Sequence, residues 1–198
     1  MKTKTKSKSK RIAWNKGKLI GQKLPLTLKE IRAIRSRLRS VQQTRDLVLF
    51  NLAIDSNLRA CDLVQLRVRD ISKGSQVASQ VTIMQLQTKR PARFEITDET
   101  RESVAAWIAQ EKLKPDHHLF PSRMSESPDI STRQYARVFA SWVSLIGLDP
   151  GVYGTQSLRR TKPTLVYRRT KNLEAAQLLL GHTKLGNTVR FLGIKGEA

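Results

Sequence analysis

The sequence LLLGH occupies residues 178–182, and nine residues after its histidine the chain places Phe191, within TVRFLG at residues 188–193. The apolar run before Gly181 predicts a short helix that ends at this glycine, because glycine readily adopts the left-handed backbone of a helix C-cap. A lone histidine after such a glycine is more often a cap or a solvated residue than a functional one. The spacing between His182 and Phe191 makes these two residues a candidate pair.

The sequence TQSLRRT at residues 155–161 opens a second helical pattern, over 157–169, which Pro163 is expected to interrupt. Gln156 and Arg159 are three residues apart. This spacing places both side chains on one face of a helix, where they can address the same ligand.

A third stretch, NLRACDL at residues 57–63, carries Arg59 and Asp62. The planar guanidinium of an arginine offers two parallel donors to a phosphate. An arginine and an aspartate three residues apart are also a common side-chain pair on the surface of a helix, so this stretch is by itself weak evidence for a phosphate site.

Hydrophobic periodicity predicts a mainly helical α+β domain over residues 24–198, with a small antiparallel sheet. Helices are predicted from a capping box at Thr27 and Glu30, over 46–56, over 57–66, after Asp98 and after Ser131, and a hairpin is predicted from strands at 77–86 and 93–96. The aromatic residues of the helix after Ser131 recur at helical spacing, so we expect them to form core rather than a base-stacking platform.

Composition indicates a polyanion as the partner. The chain has 37 Lys and Arg residues against 16 Asp and Glu, a formal net charge of +21. Ribosomal, architectural and enzymatic nucleic-acid binders share this electrostatic footprint.

The single cysteine, Cys61, excludes a disulfide scaffold, and with three scattered histidines the sequence argues against a metal site. No apolar run is long enough to span a membrane, so we expect a cytoplasmic protein.

Residues 1–23 contain nine basic residues and no acidic one, which predicts a flexible basic arm. Two interpretations stay open, an arm that follows DNA and a solvated tail without fixed contacts. The candidate DNA contacts of the arm are Lys2, Lys4, Lys6, Lys8, Lys10 and Arg11.

Taken together and in order, the stretches at 57–63, 155–161, 178–182 and 188–193 resemble the active-site motifs of the tyrosine recombinases, or phage-type integrases. In that family a tyrosine hydroxyl attacks a DNA phosphate, and the covalent 3′ link allows rejoining. The resemblance implies the family's catalytic-domain fold, double-stranded DNA as partner, and a reaction that needs neither a metal nor another cofactor nor a small-molecule substrate.

The resemblance also implies roles for single residues. Arg59 and Arg159 would bind the scissile phosphate, and Asp62 would orient Arg59. His182 would contact the same phosphate. Arg160, next to the second arginine, is expected to bind DNA.

At two positions the chain departs from the family pattern. Phe191 stands where the family has its nucleophilic tyrosine, and a phenyl ring has no oxygen with which to attack phosphorus. Gln156 stands where the family has a histidine, and an amide cannot accept and release a proton near neutral pH. None of Tyr135, Tyr153 and Tyr167 is placed to substitute for the missing tyrosine.

The family also uses a hairpin lysine that protonates the leaving 5′ oxygen. Lys89 lies in the predicted β-turn and is the candidate for this role. Gln87, two residues earlier on the same face, could equally occupy the position of the lysine. The remaining interpretation is that Lys89 is an ordinary charged residue of the turn, without a catalytic role.

Two functional hypotheses follow, a recombinase that breaks and rejoins DNA and a non-catalytic DNA-binding regulator on the same scaffold. A general RNA- or nucleoid-binding protein is a third class. Other recombinase protomers are expected partners. Only seven residues follow Phe191, whereas the family commonly continues into a helix that docks on a neighbouring protomer. A tetrameric assembly is therefore not expected. We expect a nucleoid-associated protein encoded by a bacterium, a plasmid or a phage.

Overall fold

The computed structural model of the chain describes residues 22–74, 76–123 and 127–194. The predicted arm at 1–23 therefore lies outside the described residues, except for Gln22 and Lys23. All six candidate DNA contacts of the arm belong to the part that is not described.

Helix α1 (Leu28–Ser40) begins at the predicted capping box. The hydroxyl of Thr27 accepts a hydrogen bond from the Glu30 amide at 3.3 Å, and the Glu30 carboxylate accepts one from the Thr27 amide at 2.7 Å. These two bonds satisfy amide groups that a helix N-terminus otherwise leaves without partners.

Replacing Thr27 by alanine should lower the free energy of unfolding by about 1 kcal/mol, because the side-chain half of the capping box is lost. Urea denaturation measures the change. Ser36→Ala, at an exposed position within the same helix, is the matched control and should leave stability unchanged. Equal losses in the two variants would show that the cap contributes nothing.

Helix α2 (Thr44–Ser56) is the central element of the core and packs against helices on several sides. It ends at Asn57, whose φ of 53° is left-handed, so the chain turns sharply there. The single helix predicted over 57–66 is therefore wrong. Two short helices follow instead, α3 (Ala60–Val64) and α4 (Val68–Ile71).

Two small antiparallel sheets come next. β1 (Ser72–Lys73) pairs with β2 (Gln76–Val77), a hairpin that the sequence analysis does not predict. The predicted hairpin is confirmed with different bounds, β3 (Gln80–Met84) and β4 (Pro91–Glu95). The first strand is shorter than predicted, and the second begins two residues earlier. Residues 85–90 connect β3 to β4, and we call this segment the hairpin loop.

Helix α5 (Asp98–Gln110) packs against α2, and helix α6 (Thr132–Leu145) packs against α1 and α3. The N-cap of α5 is Thr97 rather than the predicted Asp98, whereas Ser131 caps α6 as predicted. Trp142 of α6 is 1% exposed, meets the ring of Phe50 edge-to-face, and donates its indole N–H to the Asp46 carboxylate at 2.8 Å. The aromatic residues of α6 are core, as predicted.

Three consecutive helices form the C-terminal part, α7 (Thr155–Thr170), α8 (Leu173–Leu180) and α9 (Leu185–Leu192). The predicted interruption at Pro163 is wrong, since α7 continues through it and packs against α2 and α8. Gly181 ends α8 with a φ of 66°, as its sequence predicts. The mainly helical α+β fold is confirmed. Within the described ranges, no helix combines the length and the apolar character needed to cross a bilayer.

Candidate active site

Arg59 is the N-cap of α3, so its backbone is fixed by the left-handed turn at Asn57 and by the start of this helix. Its guanidinium donates from Nη1 to the side-chain oxygen of Gln85 at 2.9 Å. The same oxygen accepts from the hydroxyl of Thr88 at 2.6 Å. Gln85, at the start of the hairpin loop, therefore aims Arg59, a role that sequence analysis misses.

Asp62 is 3% exposed, and the structure places it against the hairpin loop, whereas its expected role of orienting Arg59 stays a prediction. Its Oδ1 accepts a hydrogen bond from the backbone amide of Leu86 at 2.8 Å. Its Oδ2 is buried and has no hydrogen-bond partner among the residues described. The carboxylate thus anchors the hairpin loop that carries Gln85.

Arg159 is 4% exposed and reaches from α7 to the end of α8, where Nη2 donates to the carbonyl of Leu180 at 3.0 Å. Its Nη1 is buried without a partner in the described part of the chain. Burial and then the charge of Arg59 lower the pKa of Arg159 to about 10, while Asp62 opposes this shift. Arg159 is therefore still protonated at neutral pH and lies close enough to Arg59 to feel its charge, and this cluster of positive charge favours a bound anion.

His182 follows α8 and is linked to α9 by a 3.1 Å contact between its Nδ1 and the hydroxyl of the fully buried Thr188. Burial lowers the pKa of His182, and the charges of Arg159 and Arg59 lower it further. The imidazole is therefore neutral near pH 7 in the free protein.

Phe191 lies on α9 with its ring against His182. The two ring centroids are 5.4 Å apart, at an interplanar angle of 83°. On the other side, the guanidinium carbon of Arg160 is 5.6 Å from the centroid of the phenyl ring. The fold therefore brings the residue at position 191 next to the histidine that lies close to both arginines.

Arg160 is buried next to the N-terminal segment. It is 5% exposed, and its Nη1 donates to the carbonyl of Lys23 at 2.6 Å. Burial lowers the pKa of this guanidinium. Residues adjacent on a helix point in different directions, so Arg160 turns toward α9 and the N-terminal segment while Arg159 turns toward α8. The DNA-binding role of Arg160 stays a prediction.

Three further candidates lie at exposed positions. Gln156 is in the first turn of α7, one turn before Arg159. Lys89 is in the hairpin loop with a φ of 51°, and its amide donates to the Gln85 carbonyl at 3.0 Å. Gln87 is also exposed. The roles of these three residues stay predictions.

The three tyrosines of the chain lie in different places, and that none of them serves as nucleophile stays a prediction. Tyr135 is 2% exposed within the core, and burial raises the pKa of its hydroxyl far above the usual range. The hydroxyl of Tyr153 donates to Glu30 at 3.2 Å. Tyr167 lies two turns beyond Arg159 on α7, toward the opposite end of the helix.

A cavity of about 440 Å³ opens beside the arginine pair, between the hairpin loop and the end of α8. Arg90, Arg93 and Arg159 are among its lining residues, together with Gln85 and Gly181. No carboxylate is among the described residues that line it. The cavity is therefore a positively charged concave surface, suited to a phosphate group.

The lowered pKa of His182 predicts how stability depends on pH. The unfolded chain binds a proton at this histidine near its ordinary pKa of 6.5, before the folded chain does. The free energy of unfolding should therefore fall as the pH drops below about 6.5, until the folded-state pKa is passed. Urea denaturation of the native chain and of His182→Gln, between about pH 5 and pH 8, measures this contribution. Identical pH profiles of the two proteins would contradict the assignment, because the other histidines are common to both.

Comparison with known proteins agrees with this geometry. The sequence profile described as "Phage integrase family" matches residues 25–195. The probable integrase/recombinase YoeC of Bacillus subtilis is 27% identical over 168 residues, which are 85% of this chain and 87% of that protein. A tyrosine recombinase of Pseudothermotoga lettingae is 24% identical over 155 residues, covering 78% of this chain and 51% of that protein.

Solved structures show the same fold. The XerA recombinase has a TM-score of 0.72 at 16% identity, over 87% of this chain and 61% of that one. The XerH site-specific recombinase bound to its difH substrate has a TM-score of 0.70 at 16% identity, over 86% of this chain and 50% of that one. A lambda integrase dimer bound to a COC′ core site has a TM-score of 0.64 at 18% identity, over 89% of this chain and 51% of that one.

The fold and the arginine–histidine cluster define a tyrosine-recombinase catalytic domain. The chain belongs to the phage integrase family. It spans most of the Bacillus relative, but only about half to three fifths of the Pseudothermotoga protein and of these solved structures.

Proposed function

We propose that this chain is a DNA-binding protein of the tyrosine-recombinase type that holds a DNA phosphate between Arg59 and Arg159 but does not cleave the strand. The donor that supports phosphate binding is Nη1 of Arg159, which is buried and has no partner among the described residues. A phosphate oxygen supplies the acceptor that this group lacks, and its charge offsets the repulsion between the two guanidiniums.

The observation that carries the proposal is the position of Phe191. Its ring lies 5.4 Å from the His182 ring, beside the arginine pair, and it has no hydroxyl group. The reaction of the family needs an oxygen nucleophile at this point, and losing the nucleophile removes the pathway rather than slowing it. Gln156 adds a second loss, because its amide cannot move protons.

Double-stranded DNA is the proposed partner. The net charge of +21 and the positively charged cavity support this assignment. Two of the similar structures are recombinases bound to DNA, and the lambda integrase structure is a dimer. Pairing with other protomers on DNA is therefore part of the proposal, and a chain that occupies recombination sites without cutting them would act as a regulator or competitor.

A trapping experiment tests the proposal. Binding sites are first enriched from a library of random duplexes, and the enriched duplexes are then nicked so that a cleaved strand cannot be rejoined. The native chain should bind them without forming a covalent adduct on a denaturing gel. An adduct would overturn the cleavage-deficient part of the proposal.

The phosphate-binding part is tested separately with Arg59→Ala, Arg159→Ala and a chain lacking residues 1–21. Each arginine variant should lose affinity for the enriched duplex, by roughly tenfold or more, since hydrogen bonds to a charged group are lost. The chain lacking residues 1–21 has lost most of the basic arm, so its affinity for DNA should depend less steeply on the salt concentration. Affinity that depends on residues 1–21 alone would instead favour a general polyanion-binding protein.

A further inference from the structure

Residues 22–26, which we call the strap, pack against the helices that carry the candidate site. The amide of Leu24 donates to the carbonyl of Val152 at 3.3 Å, just before α7. The amide of Leu26 donates to the hydroxyl of Thr161, within α7, at 3.0 Å. Leu26 itself is 2% exposed, so the strap is anchored in the core.

The first residue of the strap contacts the end of α9. The side-chain amide of Gln22 donates to the carbonyl of Arg190 at 2.5 Å and to that of Phe191 at 3.2 Å. The Arg190 carbonyl also accepts from the amide of Gly193 at 3.2 Å, so the Gln22 amide is a second donor at the end of α9, supplied from 168 residues away.

Gly193 shows how closely the strap approaches α9. Its φ is 68°, and a β-carbon at this position would lie 2.9 Å from the side-chain oxygen of Gln22. The same β-carbon would lie 3.4 Å from Nη2 of Arg160. The left-handed backbone favours glycine here, and a larger residue would also displace the side chain of Gln22 from the end of α9.

Arg160 joins the strap to the ring at position 191. It donates to the carbonyl of Lys23 at 2.6 Å while its guanidinium carbon lies 5.6 Å from the centroid of Phe191. Lys23 is held in turn by a 2.5 Å hydrogen bond from its ammonium to the carbonyl of Gly151. A cation over an aromatic face is attractive and favours a fixed ring position, more so when both groups are shielded from water.

We propose that the strap and Arg160 set the position of residue 191 within the chain itself, with Gln22 and Arg160 as positioning residues. The proposal rests on contacts in the free protein and does not depend on the proposed function. Its consequence is that α9 is fixed against α7 without help from a neighbouring protomer.

The test places a 4-fluorophenylalanine at position 191 and follows its ¹⁹F resonance, together with hydrogen exchange of the α9 amides, in the protein without DNA. Gln22→Ala and Arg160→Met should each shift the resonance and raise exchange in α9 by roughly tenfold, the factor expected for about one hydrogen bond. Exchange in α2 should not change. Arg160→Lys keeps a cation near the ring and should shift the resonance less than Arg160→Met.

Two matched controls come from exposed positions, Gln65→Ala and Arg168→Met, the latter on the same helix as Arg160. Both should leave the resonance and α9 exchange unchanged. The proposal is overturned if Gln22→Ala leaves the resonance unchanged, or if exchange rises equally in α2 and α9. If Arg160→Met does not fold, Gln22→Ala decides alone, because this side chain is only half-buried.

Discussion

A chain carrying both Phe191→Tyr and Gln156→His is expected to form a covalent adduct with nicked duplex DNA that the native chain does not form. The first substitution supplies the oxygen that attacks phosphorus. The second supplies a group that can move protons, one turn before Arg159. Because a positioned acid or base contributes about 10²–10⁴-fold, Phe191→Tyr alone should form the adduct slower than the double variant by this factor.

Denaturing gels and peptide mass mapping measure the adduct and its site. The control is Phe191→Leu with Gln156→His, which restores the proton-moving group without a nucleophile and should give no adduct. If the double variant also gave none, the arginine pair and helix α9 would not be arranged for cleavage. An adduct on Tyr153 or Tyr167 would show that a different residue is the nucleophile.

Replacing Arg159 by methionine is expected to change stability and DNA binding in opposite directions. The guanidinium is 4% exposed, lies near Arg59, and has one nitrogen without a partner among the described residues. Exchanging a poorly compensated buried charge for an apolar side chain of similar length should raise the free energy of unfolding by about 1–2 kcal/mol. The lost phosphate contact should weaken DNA binding by roughly tenfold to a hundredfold.

Thermal denaturation and fluorescence anisotropy on the enriched duplex measure the two effects. For a chain of this length, the expected stabilisation raises the Tm by roughly 2–8 °C. Arg168→Met, at an exposed position of the same helix, is the control and should change neither quantity strongly. A fall in Tm with unchanged affinity would show that Arg159 serves only the fold.

Most elements of the fold can be predicted from the sequence because local signals agree with tertiary packing. The capping box at Thr27, the aromatic residues of α6 and the glycine at 181 are examples. The failures occur where tertiary contacts override a local rule. Helix α7 continues through Pro163 because it is held by α2 and α8, and the chain turns at Asn57 in a left-handed conformation that periodicity does not reveal.

The candidate site likewise contains residues that the sequence suggests and residues that it does not. Motif spacing identifies the arginines and His182, because the chemistry of a phosphate site requires these residue types. Gln85 and Gln22 could not be found from the sequence, since each acts through a single side-chain contact to a residue distant in the chain. The internal role of Arg160 was also hidden, because an arginine beside a phosphate-binding arginine is chemically suited to DNA as well.

The proline inside α7 has a consequence for the arginine four residues before it. A helical carbonyl accepts from the amide four positions later, and Pro163 has no amide hydrogen, so the Arg159 carbonyl lacks its usual helical partner. Bending the helix at this turn therefore breaks no backbone bond at that point. At this turn the helix is therefore held by its packing against α2 and α8 rather than by a complete set of backbone bonds.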